Sequence, residues 1–234
     1  SITIAEVGRR ANIKESTLRN IISGTSACSL RILSKLIEYS QNPSLWDDVY
    51  HTATYLRGKT FTNRIKLPKK LTKEFAYLIG AFRDGALSTY KSELVISQRK
   101  KEWLEQEILP KLKKVFNIRP NIHGPRKNDR CYYLKIRSVA LFAVLQVLLE
   151  WEPGNWKTPS LILIAPKELQ KEYIRGFWDA EGSNNKRGGL EIFQAWPSFK
   201  ECPPLKDLKE MLWKFGIECW FTKPQKGTNK PVHR

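Results

Sequence analysis

The first 40 residues carry apolar side chains at helical spacing, in short runs separated by turn residues. The pattern predicts one helix around Val7, a second that is capped near Ser16 and ended by Gly24, and a third that begins at Ser29. Residues 1–45 are therefore predicted to form a small all-α module.

The first two of these helices are separated by the short segment Asn12-Ile13-Lys14. Two helices joined so tightly are typical of a helix-turn-helix, whose second helix lies in the major groove of DNA. The alternative is a plain helical bundle with a solvated polar face. On the first interpretation Arg19 and Asn20 read base edges, within an exposed set made up of Lys14, Ser16, Thr17, Arg19 and Asn20.

Residues 46–70 change character, because Lys and Arg become frequent and Gly58 and Pro68 stand among them. This composition predicts a basic linker that runs along a phosphate backbone if DNA is bound. Arg64 and Lys66 are its candidate phosphate contacts.

From residue 71 the pattern repeats. One predicted helix ends in Asp84-Gly85 and another ends in Glu181-Gly182, so the two acids are 97 residues apart (181 − 84). Each acid is followed by alternating strand positions, an amphipathic helix and a further strand. Each unit is therefore predicted to be α+β, with helices on one face of an antiparallel sheet.

The two units are predicted at residues 71–155 and 156–234, and their pseudo-twofold symmetry suits a ligand such as duplex DNA. The first unit continues into a predicted strand that ends at Arg137 and a long helix from Val139. The second unit has no counterpart of these elements after its predicted strand at Gly216-Ile217. It is therefore expected to be incomplete at its C-terminal end.

A carboxylate at the C-terminal end of a helix is disfavoured by the helix dipole. A single acid followed by glycine is an ordinary helix end, but two copies at matching positions favour a bound divalent cation. If the two helices pack side by side, Gly80 and Gly176 permit close backbone approach, and Asp84 and Glu181 converge. Two such acids bind Mg²⁺ (or Mn²⁺) through oxygen ligands, and the metal activates water for phosphodiester hydrolysis.

The spacing within the two copies differs. Gly80 precedes Asp84 by four residues, whereas Gly176 precedes Glu181 by five (84 − 80 and 181 − 176). One residue turns an α-helix by ~100°, so the two acids are expected to leave their helices in different directions.

Charge narrows the choice of partner. The chain has 41 Lys and Arg against 23 Asp and Glu, which gives a net charge of +18 and favours nucleic acid over an anionic membrane surface. No apolar stretch approaches the ~20 residues that cross a bilayer. The expectation is a soluble intracellular monomer in the cytoplasm, the nucleoid or an organelle, with no small-molecule substrate.

The segment Ile174-Arg175-Gly176-Phe177-Trp178-Asp179-Ala180-Glu181-Gly182 resembles the LAGLIDADG motif of homing endonucleases, and residues 71–85 resemble a second copy. The resemblance implies a two-motif monomer with saddle-shaped sheets that lie in the major groove and two metal-binding acids, Asp84 and Glu181. It also implies water-organising glutamines, matched by Gln98 and Gln194, and a basic residue, matched by Arg137 with Lys135 as the neighbouring option. The further DNA-contacting candidates on its strands are Arg99, Lys135, Lys186 and Arg187.

Three functions follow from these observations. The first is a sequence-specific, metal-dependent endonuclease encoded in an intron or a similar element. The second is a non-cleaving regulator on the same scaffold, which the unequal spacing and the missing tail favour. The third is an RNA-splicing maturase.

Overall fold

A computed structural model describes residues 3–56, 64–88, 90–125, 130–151, 157–184, 189–194 and 202–221, except for the side chains of Leu30 and Asp84. These residues belong to two compact units, and the boundary between the units falls between Thr54 and Tyr55. No helix in the described ranges is long and apolar enough to cross a membrane.

The N-terminal unit contains α1 (Ile4–Arg10), α2 (Glu15–Ile22), α3 (Leu30–Ser40) and α4 (Leu45–Thr52). Side-chain caps fix two of these helix starts: the hydroxyl of Thr3 accepts from the backbone N–H of Glu6, and that of Ser29 accepts from Ile32, both at 3.2 Å. The three helices predicted before residue 41 are present. Their use as a helix-turn-helix stays a prediction.

The connection between α1 and α2 is tight because Gly8 leaves room for it. A Cβ atom at Gly8 would lie 2.8 Å from the carbonyl oxygen of Ile13 and 3.5 Å from Leu18. Ala11, Leu18 and Ile37 are buried in this small core.

The second unit contains, in chain order, β1 (Tyr55–Leu56), β2 (Ile65–Lys66), α5 (Lys73–Ala81), a 3₁₀ turn (Phe82–Asp84), β3 (Gly85–Ser88), β4 (Glu93–Gln98), α6 (Lys101–Trp103), a π-helical segment (Leu104–Ile108), α7 (Leu109–Phe116), β5 (Ile122–His123), β6 (Tyr132–Arg137), α8 (Val139–Leu149), α9 (Ser160–Leu163), α10 (Lys167–Glu181), β7 (Gly182–Asn184), β8 (Leu190–Ile192) and α11 (Pro203–Lys214).

Its main sheet is antiparallel with the strand order β3-β4-β6-β5. Ile96 lies opposite Gly85 on one side and Leu134 on the other. Alternate residues of β4 and β6 are buried, and α8 contacts β4. The predicted α+β class, with helices and antiparallel sheets, is confirmed.

Two details of the secondary structure differ from what the sequence suggested. The first seven residues of the predicted linker at 46–70 are helical and belong to α4, because Asn42 accepts from the backbone and the hydroxyl of Ser44 and so shapes a turn before the helix. Two acids in the first turn of α4, Asp47 and Asp48, suit the positive end of its dipole.

The strand predicted at Gly216-Ile217 is instead the C-terminal cap of α11. Gly216 has a φ of +75°, and the N–H of Ile217 donates to the carbonyl of Leu212 at 3.0 Å. Glycine in this left-handed conformation is what ends many helices, so the pair continues no strand within residues 215–221.

Candidate active site at the crossing of two helices

The centre of the second unit is the crossing of α5 and α10, at one glycine from each helix. A Cβ atom added to Gly80 would lie 2.1 Å from the carbonyl oxygen of Tyr173, and one added to Gly176 would lie 2.1 Å from that of Tyr77. No side chain fits at either position unless the helices move apart. The contacts relate residues that are 96 apart (176 − 80 and 173 − 77), which defines the pseudo-twofold relation between the helices.

The two helices end differently beyond this crossing. The first continues as a 3₁₀ turn, Phe82–Asp84, whereas the second stays α-helical through Glu181. Three residues of 3₁₀ helix advance ~6 Å and turn ~360°, and four residues of α-helix advance ~6 Å and turn ~400°. The tighter winding therefore compensates for the missing residue. By this idealised geometry the backbones of Asp84 and Glu181 end at about the same level, and the expected difference in direction falls from ~100° to ~40°.

The carboxyl group of Glu181 lies in a poorly hydrated environment. Burial raises its pKa to about 7, although the positive charge of Arg83 acts in the opposite direction. Arg83 is itself 5% exposed, and its guanidinium donates to the Tyr173 hydroxyl at 3.4 Å. The end of the second motif is therefore a low-dielectric site that contains a carboxyl and a guanidinium group.

Equivalent positions of the two motifs carry opposite charges. Tyr173 of α10 contacts Arg83, and the equivalent Tyr77 of α5 donates from its hydroxyl to Asp179 at 2.6 Å. Arg83 and Asp179 are also 96 residues apart (179 − 83), so the same pseudo-twofold relation exchanges a cation for an anion.

Tyr77 is the centre of a wider network. Its hydroxyl also accepts from the indole N–H of Trp103 at 2.9 Å. The Lys111 ammonium lies 4.2 Å from the centroid of its ring, and the Arg175 guanidinium lies 4.8 Å from it. Burial first, and then the bond to Asp179, raise the pKa of Tyr77 far above its usual range. Tyr77 is therefore neutral and acts as a donor to the carboxylate.

Both predicted glutamines are described. The Gln98 side-chain amide donates to the carbonyl of Ala180 at 3.2 Å, which places it beside the residue that precedes Glu181. The Gln194 side-chain oxygen is buried without a hydrogen-bond partner in the described part of the chain. Such an acceptor is a suitable partner for an ordered water.

Comparisons with known proteins show what this chain is similar to. No family model matches the chain. The chain is 31% identical over 151 residues to homing endonuclease I-ApeI of Aeropyrum pernix, a match that covers 61% of this chain and 66% of that protein. The chain is thus similar to a homing endonuclease, and its paired motif resembles the LAGLIDADG motif of that class.

Two longer proteins of Methanocaldococcus jannaschii match over small parts of their length. Its glutamine–fructose-6-phosphate aminotransferase is 29% identical over 77% of this chain but only 16% of that protein. Its probable translation initiation factor IF-2 is 31% identical over 58% of this chain and 12% of that protein. The chain thus spans less than two thirds of these relatives, and the activities in their names concern far more sequence than the match.

The chain also resembles solved structures of I-DmoI in complex with DNA and Mn or Ca. The TM-scores are 0.46 and 0.45, each at 22% identity over 64% of this chain, covering 81% and 75% of the respective I-DmoI chains.

The LAGLIDADG resemblance matched Arg137 to the basic residue near the metals, but the structure does not bring Arg137 to the two acids. It pairs with Glu93 across β4 and β6, at 2.5 Å, whereas Gln98 lies at the other end of β4. Five residues of strand separate these ends by about 17 Å. The mismatch arises because the resemblance fixed which strand carries a basic residue but not where on that strand.

Lys135, the alternative, lies opposite Val95 near the middle of the sheet. It alternates with the buried Leu134 and Ile136 and so stands on the face opposite the core.

The remaining DNA-contacting candidates are mostly solvent-exposed. Lys14, Arg19 and Asn20 are exposed on the N-terminal unit, and Arg19 forms an ion pair with Glu15 at 2.6 Å. In the second unit the exposed candidates are Arg64, Lys66 and Arg99. Lys186 and Arg187 lie outside the described residues.

Whether a divalent cation fits this site depends on the oxygen donors at the motif ends. Among the described residues no group of three or more His, Cys, Asp or Glu side chains forms a metal cluster. Mg²⁺ in nucleic-acid enzymes is commonly bound by one or two carboxylates, with the remaining ligands from water and substrate phosphate. Glu181, together with Asp84 at the matching backbone level, fits such a donor set.

Sequence interpretation missed Arg83 and Asp179. Both were visible in principle, because aligning the two motifs on Gly80 and Gly176 pairs position 83 with position 179. Aligning them on the acids instead, with an offset of 97, concealed the exchange of charge.

Proposed function

We propose that the chain is an endonuclease that binds double-stranded DNA specifically and hydrolyses phosphodiester bonds with Mg²⁺ or Mn²⁺. The observation that carries the proposal is the glycine crossing. It brings the C-terminal ends of both motifs, with Asp84 and Glu181, to one end of the helix pair.

In this proposal Asp84 and Glu181 would hold the divalent cation. The cation would lower the pKa of a water molecule and stabilise the leaving oxygen. Glu181 must be ionised to bind it, and its pKa near 7 means that this ionisation is incomplete in acid. Gln194, with its buried and unpartnered side-chain oxygen among the described residues, orients water from the second half, and Gln98 does so from the first.

DNA would lie against the face of the main sheet that is opposite the core. This face carries Lys135, with Arg99 just beyond the end of β4. The net charge of +18 supports a long phosphate footprint. The exposed basic residues of β2 and of the loop before it, Lys66 and Arg64, extend that footprint.

The test begins with selection of bound duplexes from a randomised library in EDTA, followed by incubation of the selected duplex with Mg²⁺. Wild type should cut it, and Asp84→Asn and Glu181→Gln should not. Glu168→Gln is a matched control, because Glu168 is an exposed acid at the other end of α10. Equal cutting by wild type and both acid variants would remove the two acids from the proposed mechanism.

A second candidate is a DNA-binding regulator that does not cleave. The guanidinium of Arg83 at the Glu181 end favours it, because a fixed cation there opposes a metal ion. Tight, salt-sensitive binding in EDTA without cutting in Mg²⁺ or Mn²⁺ would select this function.

We also propose that the N-terminal unit is a second DNA-reading module that uses α2. Exposed Arg19 and Asn20 are its base-reading residues, since the ion pair of Arg19 with Glu15 is surface-exposed and easily exchanged for a contact to DNA. Arg19→Ala or Asn20→Ala should weaken binding to the selected duplex by ~1–3 kcal/mol, which is about 5- to 150-fold. Binding to unrelated DNA should change much less, and an equal loss on both DNAs would indicate phosphate contact only.

A further inference from the structure

Arg83 is a buried cation that extends from the first motif to the second. It lies on the 3₁₀ turn one residue before Asp84, and two of its contacts are with α10. The guanidinium donates to the hydroxyl of Tyr173, and its central carbon lies 5.6 Å from the centroid of the Phe177 ring. These contacts hold the charge against the helix that ends in Glu181.

Burial raises the pKa of the Glu181 carboxyl group, and the positive charge of Arg83 lowers it. A fixed positive charge that stabilises a carboxylate also repels a divalent cation that approaches the same oxygens. In a poorly hydrated site this repulsion is only weakly screened.

The second motif carries an acid, not a second cation, at the position equivalent to Arg83. The pseudo-twofold relation places Asp179 where Arg83 stands in the other half, and Asp179 accepts from Tyr77. The helices thus share a backbone crossing while their flanking charges are of opposite sign.

We propose that Arg83 is a positioning residue that holds a fixed positive charge at the Glu181 end of the site, weakens divalent-cation binding there, and makes the two acid positions unequal. The inference rests on the proposed function only in taking Glu181 as a cation ligand. The Asp84 position and the Glu181 position would then be occupied at different cation concentrations.

The experiment measures Mn²⁺ binding to the full chain without DNA, from the loss of the free-ion electron paramagnetic resonance signal. It is run under argon at pH 8.5, where Glu181 is ionised, so that proton competition does not mask the change in charge. Arg83→Met should tighten the Mn²⁺ site that depends on Glu181 by about tenfold. Arg83→Lys keeps the charge and should stay near wild type.

Two comparisons separate the charge from packing. In a Glu181→Gln background, Arg83→Met should change Mn²⁺ binding less than about twofold. Arg175→Met removes a charge from α10, the helix that ends in Glu181. Because Arg175 pairs with Glu107 and Glu172, Mn²⁺ binding should stay near wild type.

Unchanged Mn²⁺ binding in Arg83→Met, or tightening that persists without Glu181, would overturn the proposal. If circular dichroism shows Arg83→Met to be unfolded, Arg83→Gln replaces it with the same expectation, because Gln can still bond to Tyr173. Failure of wild type to cut DNA would contradict the proposed endonuclease without altering this binding result.

Discussion

The two motif helices are alike where they touch and different where they end. At the crossing each presents a glycine to the other's backbone, with the same distance from the missing Cβ to the facing carbonyl oxygen. Beyond it, the first helix tightens into a 3₁₀ turn with Arg83, and the second stays α-helical with Asp179 at the equivalent place. Packing therefore preserves the symmetry of the pair, and the chemistry at the ends departs from it.

The largest expected effect tests the shared part. Gly80→Ala and Gly176→Ala should each destabilise the fold by roughly 3–5 kcal/mol, because either Cβ would overlap a backbone carbonyl. Urea unfolding measures this. Gly216→Ala is the control: it also introduces a methyl group, at a positive φ but in open space, and should cost about 1 kcal/mol. Clearly unequal losses at Gly80 and Gly176 would contradict an equivalent crossing.

Tyr77 and Tyr173 occupy equivalent positions, but one contacts an anion and the other a cation, so removing their hydroxyls should have unequal effects on stability. Tyr77→Phe removes the 2.6 Å bond to Asp179 and leaves the Trp103 indole without its acceptor, so it should cost about 1–3 kcal/mol. Tyr173→Phe removes two longer bonds, to Arg83 and to Thr158, both at 3.4 Å, and should cost less than Tyr77→Phe, about 1 kcal/mol. Unfolding free energies of the two variants, measured side by side, give the comparison. A greater loss at Tyr173 would reverse the assigned strengths.

The next effect depends on pH. Because the pKa of Glu181 rises from 4.5 to about 7 on folding, the folded protein binds more protons than the unfolded chain between these values. Its contribution therefore destabilises the fold as pH increases through that window. Glu181→Gln should stabilise the metal-free protein by about 1–2 kcal/mol at pH 8 and have little effect at pH 4.5.

Thermal and urea unfolding in EDTA at both pH values measures this change. Glu168→Gln, at an exposed acid near the start of the same helix, is the matched control. A stabilisation by Glu181→Gln that is equal at both pH values would mean that ionisation of this carboxyl is not its cause.

The smallest effect is expected at Arg137, which contrasts with the buried Arg83. The Arg137 side chain is 59% exposed, so its ion pair with Glu93 is largely screened by solvent. Arg137→Gln should cost about 1 kcal/mol or less, because glutamine can still bond to the buried Glu93. Urea unfolding tests this, and a loss of several kcal/mol would show that Glu93 depends on the full positive charge.

Much of this molecule could be predicted from the sequence. The repeat predicted both motif helices, strand β4 and the helix that follows it, because hydrophobic periodicity is strong in elements that are buried on one face. It failed at Gly216-Ile217, where the apolar isoleucine suggested a strand and the glycine was in fact a helix cap. At this position the tendency of glycine to end a helix at a positive φ outweighs the apolar pattern.

The site was predictable only in part. Charge and spacing selected Asp84 and Glu181, but they could not show that Arg83 reaches α10 or that Arg137 stands at the distant end of its strand. Both facts depend on three-dimensional register, which a single sequence encodes only through the packing of many side chains.

The 3₁₀ turn at Phe82–Asp84 has a consequence for the history of such sequences. A helix that can tighten its final turn tolerates the loss of a residue without shortening its reach, so a deletion at this point need not separate the acid from its partner. Any search that demands a fixed interval between glycine and acid would pass over this copy. The number of residues and the distance they span can therefore evolve separately at the end of a helix.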